Sequence, residues 1–260
     1  MRHLPLHRSL LALAVATTLP ALARAEEAPT ADISSETART VVALDQVVVT
    51  AQKRATNLQE TPISVSVVDA EGLKDRSAIS LGSLSDGSIP SLRVTPFATR
   101  SSALNIGIRG IGASGDANQP ARDAGVGIYV DGVFMGRAQG LGSMLYDVER
   151  IEVLKGPQGT LFGRNTEGGA VSIVTKQPTG EFGGSVGAGV SNFGGYTTAL
   201  HLDLPRVADL SFKVDAVQAK RDGTTDNPMR GERDFNAYYK RGARLSVLWQ
   251  PSDDFSLLYA

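Results

Sequence analysis

Beyond Gly183, apolar and polar residues take turns, and a period of two is the signature of strands whose two faces meet different surroundings. Val186, Ala188 and Val190 alternate with Ser185, Gly187 and Gly189. Thr198, Leu200, Leu202 and Leu204 alternate with Thr197, His201 and Asp203; Leu210, Phe212, Val214 and Ala216 with Ser211, Lys213 and Asp215; Ala243, Leu245, Val247 and Trp249 with Arg244, Ser246 and Gln250. Phe255, Leu257 and Tyr259 begin a fifth run. A soluble sandwich alternates as well. Here, however, Lys213, Asp215, His201 and Asp203 gather on the polar side with apolar positions opposite, which is the apolar-out, polar-in pattern of a transmembrane barrel.

The start of the chain is an address. Arg2 and Arg8 supply positive charge, residues 10–23 are a short apolar run containing Pro20, and Ala23-Arg24-Ala25 fits the small-x-small cleavage rule. Residues 1–25 therefore read as a signal peptide, too short to span a bilayer. Its removal takes away three arginines and no acids, leaving 23 basic and 27 acidic residues, a net charge of −4. That balance speaks against a nucleic-acid partner. The chain has no cysteine, and His3 and His7 leave with the signal peptide, so no zinc pattern can be assembled. No later stretch reaches the roughly 18 apolar residues of a membrane helix. An exported chain of this kind is periplasmic, secreted or an outer-membrane barrel. If the first strand rises from the periplasm, the connections expected at 205–209 and 250–254 are short periplasmic turns. The charged connection at 221–238 then lies outside; 192–195, also outside, is short.

Residues 26–43 are small, polar and acidic and read as a flexible tether. Asp45, Gln46, Val47, Val48, Val49, Thr50 and Ala51 follow, a strong strand former. A strand on a loose arm is available to pair with the sheet edge of another protein. Between residues 52 and 178 the pattern is that of one small α+β domain. Strands are expected at 63–69, 104–109, 126–130, 151–154 and 170–175, short helices at 70–75 and 80–86, and a helical turn at 141–146. Asp131-Gly132 has the residues of a two-residue hairpin turn leading into Val133. Of the 28 glycines, 22 lie between Gly107 and Gly195, which disfavours long helices there.

Three motifs point to other chemistry and fail on context. Gly110-Ile111-Gly112-Ala113-Ser114-Gly115 matches a dinucleotide-binding fingerprint, but Asp116-Ala117-Asn118-Gln119-Pro120 cannot propagate the helix that a pyrophosphate site needs. Gly183-Gly184-Ser185-Val186-Gly187 matches a nucleophile elbow by residue type, yet the only histidine left after cleavage, His201, lies in an alternating strand. The loop from Gly156 through Pro157, Gly159 and Gly163 to Asn165 lacks the Gly-Lys-Ser/Thr ending of a phosphate cradle. It reads instead as a rigid structural loop, and no enzyme activity is expected.

Residues 148–165 (VERIEVLKGPQGTLFGRN), continued by Gly168, Gly169 and Ala170 to Lys176, closely resemble the plug signature of TonB-dependent receptors. Ile108-Arg109-Gly110 resembles the plug's Ile-Arg-Gly segment, Tyr129-Val130-Asp131-Gly132-Val133 its hairpin, and Asp45 to Ala51 a TonB box. The resemblance implies a plug (52–178) inside a 22-stranded barrel whose first strands are residues 183–260. It implies an outer-membrane location with the N-terminus in the periplasm, and a monomer in contact with outer-membrane lipid. TonB, with its inner-membrane energising complex, would pair with residues 45–51 and open the plug. The cargo would be a ferric siderophore or similar iron complex, with no resident cofactor. In the family, plug arginines pair with barrel glutamates; Arg109, Lys155 and Arg164 are the candidates, with partners expected beyond Ala260. Gly110, Asp131, Gly132, Gly156, Pro157, Gly159, Gly163, Gly168 and Gly169 are expected to be structural. Five strands cannot close a barrel, so a truncated or remnant plug fragment that binds TonB without transporting is the alternative reading.

Overall fold

The computed structural model describes residues 48–50, 53–54, 56–97, 100–112, 123–137, 139–229, 231–232 and 234–260. The expected signal peptide and tether, Asp45, Gln46, Val47 and Ala51 of the box, and the segment from Ala113 to Pro120 lie outside these residues.

The described chain begins with β1 (Val48–Val49), which pairs antiparallel with β2 (Thr56–Asn57). Next come β3 (Val65–Asp69) and α1 (Ala70–Asp75). Asp69 starts α1 by accepting a hydrogen bond from the Gly72 N–H at 2.8 Å, satisfying one of the free donors of the first turn. A 3-10 helix covers Leu81–Asp86 and ends on Gly87, whose left-handed φ of 77° closes it. The hairpin β4 (Leu92–Phe97) and β5 (Arg100–Ile108) follows, then β6 (Val126–Val130), β7 (Val133–Phe134), β8 (Val148–Lys155), the single-turn α2 (Gly159–Phe162) and β9 (Gly169–Thr175).

β3, β8, β9, β6 and β7 form one sheet in that order, antiparallel except between β6 and β9. Alternation along its strands builds two cores. Ile151, Val153, Val171 and Ile128 face Leu73, Leu81, Leu104 and Ile108 in the larger one. Leu154, Ala170 and Tyr129 point the other way and are covered by Val49 of the N-terminal arm. The sheet is thus capped on its second face by the first residues described.

β10 (Gly183–Ser191), β11 (Gly195–Val207), β12 (Leu210–Arg221), β13 (Tyr238–Ser252) and β14 (Phe255–Tyr259) form a second sheet, an antiparallel meander in chain order that does not close on itself. One face of β12 turns toward the first domain: its polar Ser211, Lys213 and Asp215 and its apolar Val217 and Ala219 are buried. The opposite face is open. Val186 is 81% exposed and Val190 93%, and Leu245, Trp249 and Leu257 lie on the same side. An apolar outer face beside a charged inner one is what a strand wall in lipid requires.

Two expectations need correction, and some elements were missed. Residues 141–146 do not form a helical turn. The Gly140 and Gly142 N–H groups both donate to the Ser102 carbonyl, and Met144 bridges to Ser80, so the backbone bonds sideways. β11 and β13 run through Pro205 and Pro251, where turns were expected. The register slips between Leu204 and Val207 and between Trp249 and Ser252, so each proline falls in an irregularity where no ladder donor is needed. β4, which contains Pro96, and the small α2 were not anticipated.

Candidate functional site

The wall of β10–β14 meets the first domain along a seam built from opposite charges. Lys213 of β12 is almost fully buried (1% exposed). Its ammonium donates to Asp147 Oδ2 at 2.5 Å and to the Lys176 carbonyl at 3.1 Å. Lys176 reaches the other Asp147 oxygen at 3.0 Å. Burial alone would raise the Asp147 pKa; the hydrogen bonds from Lys213 and Lys176 outweigh it and hold the group below the usual carboxylate value. One strand over, Arg244 of β13 donates to Asp131 Oδ2 at 2.7 Å and to Thr175 Oγ1 at 3.1 Å. Further along the same two strands, Met144, Val217 and Ala219 pack together, Lys240 Nζ donates to the Gly142 carbonyl at 2.6 Å, and Gly242 leaves room for the Tyr146 hydroxyl. In the two pairs that cross the seam, Lys213–Asp147 and Arg244–Asp131, the acid comes from the first domain and the cation from the wall.

Asp147, His201 and Asp215 bring three potential metal-donor atoms within 4.8 Å of one another. The residues do not suit a cation. The Lys213 ammonium already stands against Asp147, and His201 Nδ1 is engaged with Asp215 Oδ1 at 2.8 Å. The cluster neutralises charge at the seam.

A second site lies where the arm covers the sheet. Val49 is fully buried, one side of β1 is paired with β2, and Thr50 is held by Glu152. The Thr50 N–H donates to Glu152 Oε1 at 2.8 Å and its hydroxyl to the same oxygen at 3.1 Å. Lys53 lies over the rings of Phe162 and Tyr129, 4.5 and 5.3 Å from their centroids. The Tyr129 hydroxyl donates to the Phe162 carbonyl, and burial pushes its pKa up. Of the expected box, Val48, Val49 and Thr50 are thus folded against the domain. Glu152 escaped sequence reading because, within Ile151-Glu152-Val153-Leu154, it looks like the solvent-facing residue of an alternating strand.

The other sequence candidates fall as follows. Arg109, at φ 53°, ends β5 with its guanidinium against Gly156. Burial, then the neighbouring Arg109 charge, lowers the Lys155 pKa. Neither cation has an acidic partner among the described residues. Arg164 reaches Asp123 at 3.6 Å, both well exposed, a pair of little energetic weight. Asp131 and Gly132 make the hairpin turn joining β6 to β7. Gly156 bonds back to the Gly168 carbonyl, Pro157 precedes α2, and Gly159 and Gly163 bracket it. Gly169 is the most demanding position: its φ is 145°, and a Cβ would land on the Leu154 carbonyl oxygen.

Comparison with known proteins matches residues 57–170 to the TonB-dependent Receptor Plug Domain family. The chain belongs to the TonB-dependent receptors. The pesticin receptor of Yersinia pestis is 32% identical over 207 residues, 77% of this chain and 28% of its own length. The metal-pseudopaline receptor CntO of Pseudomonas aeruginosa is 32% identical over 117 residues, 43% of this chain and 15% of its own length. Among solved structures, the ferric yersiniabactin uptake receptor FyuA from Yersinia pestis superposes with a TM-score of 0.65 at 29% identity, covering 74% of this chain and 29% of that one. The outer-membrane ferripyoverdine receptor of Pseudomonas aeruginosa shares the fold, with a TM-score of 0.62 at 20% identity over 82% of this chain and 26% of that one. The chain therefore spans under a third of the length of these relatives. It holds the N-terminal part of a TonB-dependent outer-membrane receptor: the plug, followed by antiparallel strands of an incomplete barrel. The family consists of transport receptors rather than enzymes.

Proposed function

We propose that this chain is the plug and first wall of a receptor that takes up a ferric siderophore or a similar iron complex across the outer membrane. Its N-terminal arm lies in the periplasm, and residues 45–51 pair with TonB as an added strand. The observation that carries this reading is the seam. A plug whose acids Asp131 and Asp147 are matched by Arg244 and Lys213 on the inner face of a lipid-ready wall is built to sit inside a barrel. The choice of an iron chelate rests on likeness to the ferric yersiniabactin receptor. Arg109 and Lys155, two adjacent cations, suit acidic partners on the barrel wall.

Val48→Pro tests the pairing role, because proline removes a backbone donor and cannot join a ladder. In iron-starved cells, uptake of radioactive ferric yersiniabactin and related chelates is expected to be lost while surface binding stays intact. Loss of both together would sink the assignment of the box.

A further inference from the structure

The box segment is held on the plug by a carboxylate that is only half satisfied. Glu152 is entirely shielded from solvent. Its Oε1 accepts from the Thr50 N–H, from the Thr50 hydroxyl and, at 2.7 Å, from Arg150 Nε. Among the described residues its Oε2 has no hydrogen-bond partner. Native proteins satisfy nearly all their buried polar atoms, and each exception calls for a physical reason. Here the stranded oxygen lies beneath the one segment that must leave the plug for a partner strand to reach it.

The energetics of the two arm positions differ in a specific way. With the arm down, Oε1 gains two hydrogen bonds from Thr50, but Oε2 is buried without a donor among the described residues, which is costly for a carboxylate. With the arm up, Arg150, on the same strand and also bonded to Glu149, stays with Glu152, while water reaches Oε2. Part of what is lost at Thr50 is recovered at Oε2. A purely apolar dock would offer no such recovery. Burial of Val49 and the placement of Lys53 over Phe162 and Tyr129 add to the hold on the same stretch.

We propose that Glu152 is the latch of the TonB box: it keeps Val48, Val49 and Thr50 folded on the plug, and its unpaired oxygen makes that hold releasable. This rests on the reading that residues 45–51 pair with TonB. β2 lies along one side of β1, and the Thr50 N–H, a donor that an incoming strand would use, is taken by Glu152. Glu152 is a positioning residue that acts through the arm and touches neither the cargo nor TonB.

The test uses the full chain in detergent micelles, with a spin label on Val48→Cys. The chain has no cysteine of its own, and Val48 is exposed in the docked arm. Trypsin cleavage at Lys53 and Arg54 supplies a second readout. Glu152→Ala is expected to convert the label from slow to fast motion and to speed cleavage about tenfold or more. Glu152→Gln, which keeps an acceptor for the Thr50 N–H, is expected to fall between the two. Thr50→Pro removes the donor without touching the sheet and is expected to free the arm even if Glu152→Ala disturbs the plug. A label and a cleavage rate unchanged in both Glu152→Ala and Thr50→Pro would overturn the latch. Adding the purified periplasmic domain of TonB separates the two readings: an arm freed in Glu152→Ala that still fails to bind it leaves the latch standing and removes the pairing role.

Discussion

Arg244 on the wall and Asp131 on the plug are joined at 2.7 Å across 113 residues of chain, and the same carboxylate also holds Thr175. One side chain thus completes the turn between β6 and β7, fixes the end of β9 and ties the plug to β13. Both partners are mostly shielded from solvent, so the pair is worth more than a surface bridge. Arg244→Ala is expected to lower stability by about 1–3 kcal/mol. Asp131→Asn, whose side chain also tolerates a left-handed turn, is expected to cost less. Trp249, the single tryptophan, lies on the same strand, and its fluorescence during urea unfolding reads the change. An unmoved midpoint for Arg244→Ala would show that the pair contributes nothing.

The Asp147 contact gives the seam a predictable acid limit. The folded-state pKa of Asp147 lies below its ordinary value of 3.8. A depressed carboxylate contributes stability that is fully present above its unfolded pKa and is lost as pH falls through the folded one. Stability arising at this site is expected to be flat at neutral pH and to decline only below about pH 4. Asp147→Asn is expected to remove that acid-dependent component while leaving the rest of the profile. An identical profile in the variant would assign the decline to other groups.

Gly169 is expected to be intolerant of any side chain. Its backbone occupies a region that L residues rarely adopt, and a Cβ would meet backbone rather than a flexible side chain. Gly169→Ala is expected to cost at least about 3 kcal/mol and to break the pairing of Lys155 with Gly169 at the head of β9. Loss of protected amides in β8 and β9 by hydrogen exchange is the check.

Arg109 separates the stability of the plug from its seating. Its charge disfavours the neighbouring Lys155 ammonium, so Arg109→Ala is expected to leave the isolated plug unharmed or slightly more stable. In the receptor it is expected to raise outer-membrane permeability to large antibiotics. Unchanged permeability would argue against a contact with the barrel.

Much of this fold was legible because period-two patterning is local. The five wall strands, α1 and the Asp131-Gly132 turn follow from adjacent residues. Pro205 and Pro251 misled, since a proline reads as a break until an irregular register accommodates it. The inner face of β12 was visible as Lys213 and Asp215, but nothing local names Asp147 as their neighbour, 66 residues from Lys213. Glu152 was hidden more thoroughly. Its burial depends on an arm that crosses the sheet from 102 residues away, and alternation within β8 carries no trace of that cover.

The arm over the second face of the plug sheet also determines what happens after a pull. Lifting Val49 out of its niche beside Leu154 and Ala170 returns apolar surface to water, at about 2 kcal/mol for a valine side chain. That work is stored in the exposed face rather than dissipated. When tension on the N-terminus ends, the same surface draws the arm back. Lifting the arm needs an external source of energy; its return is already built into the sheet.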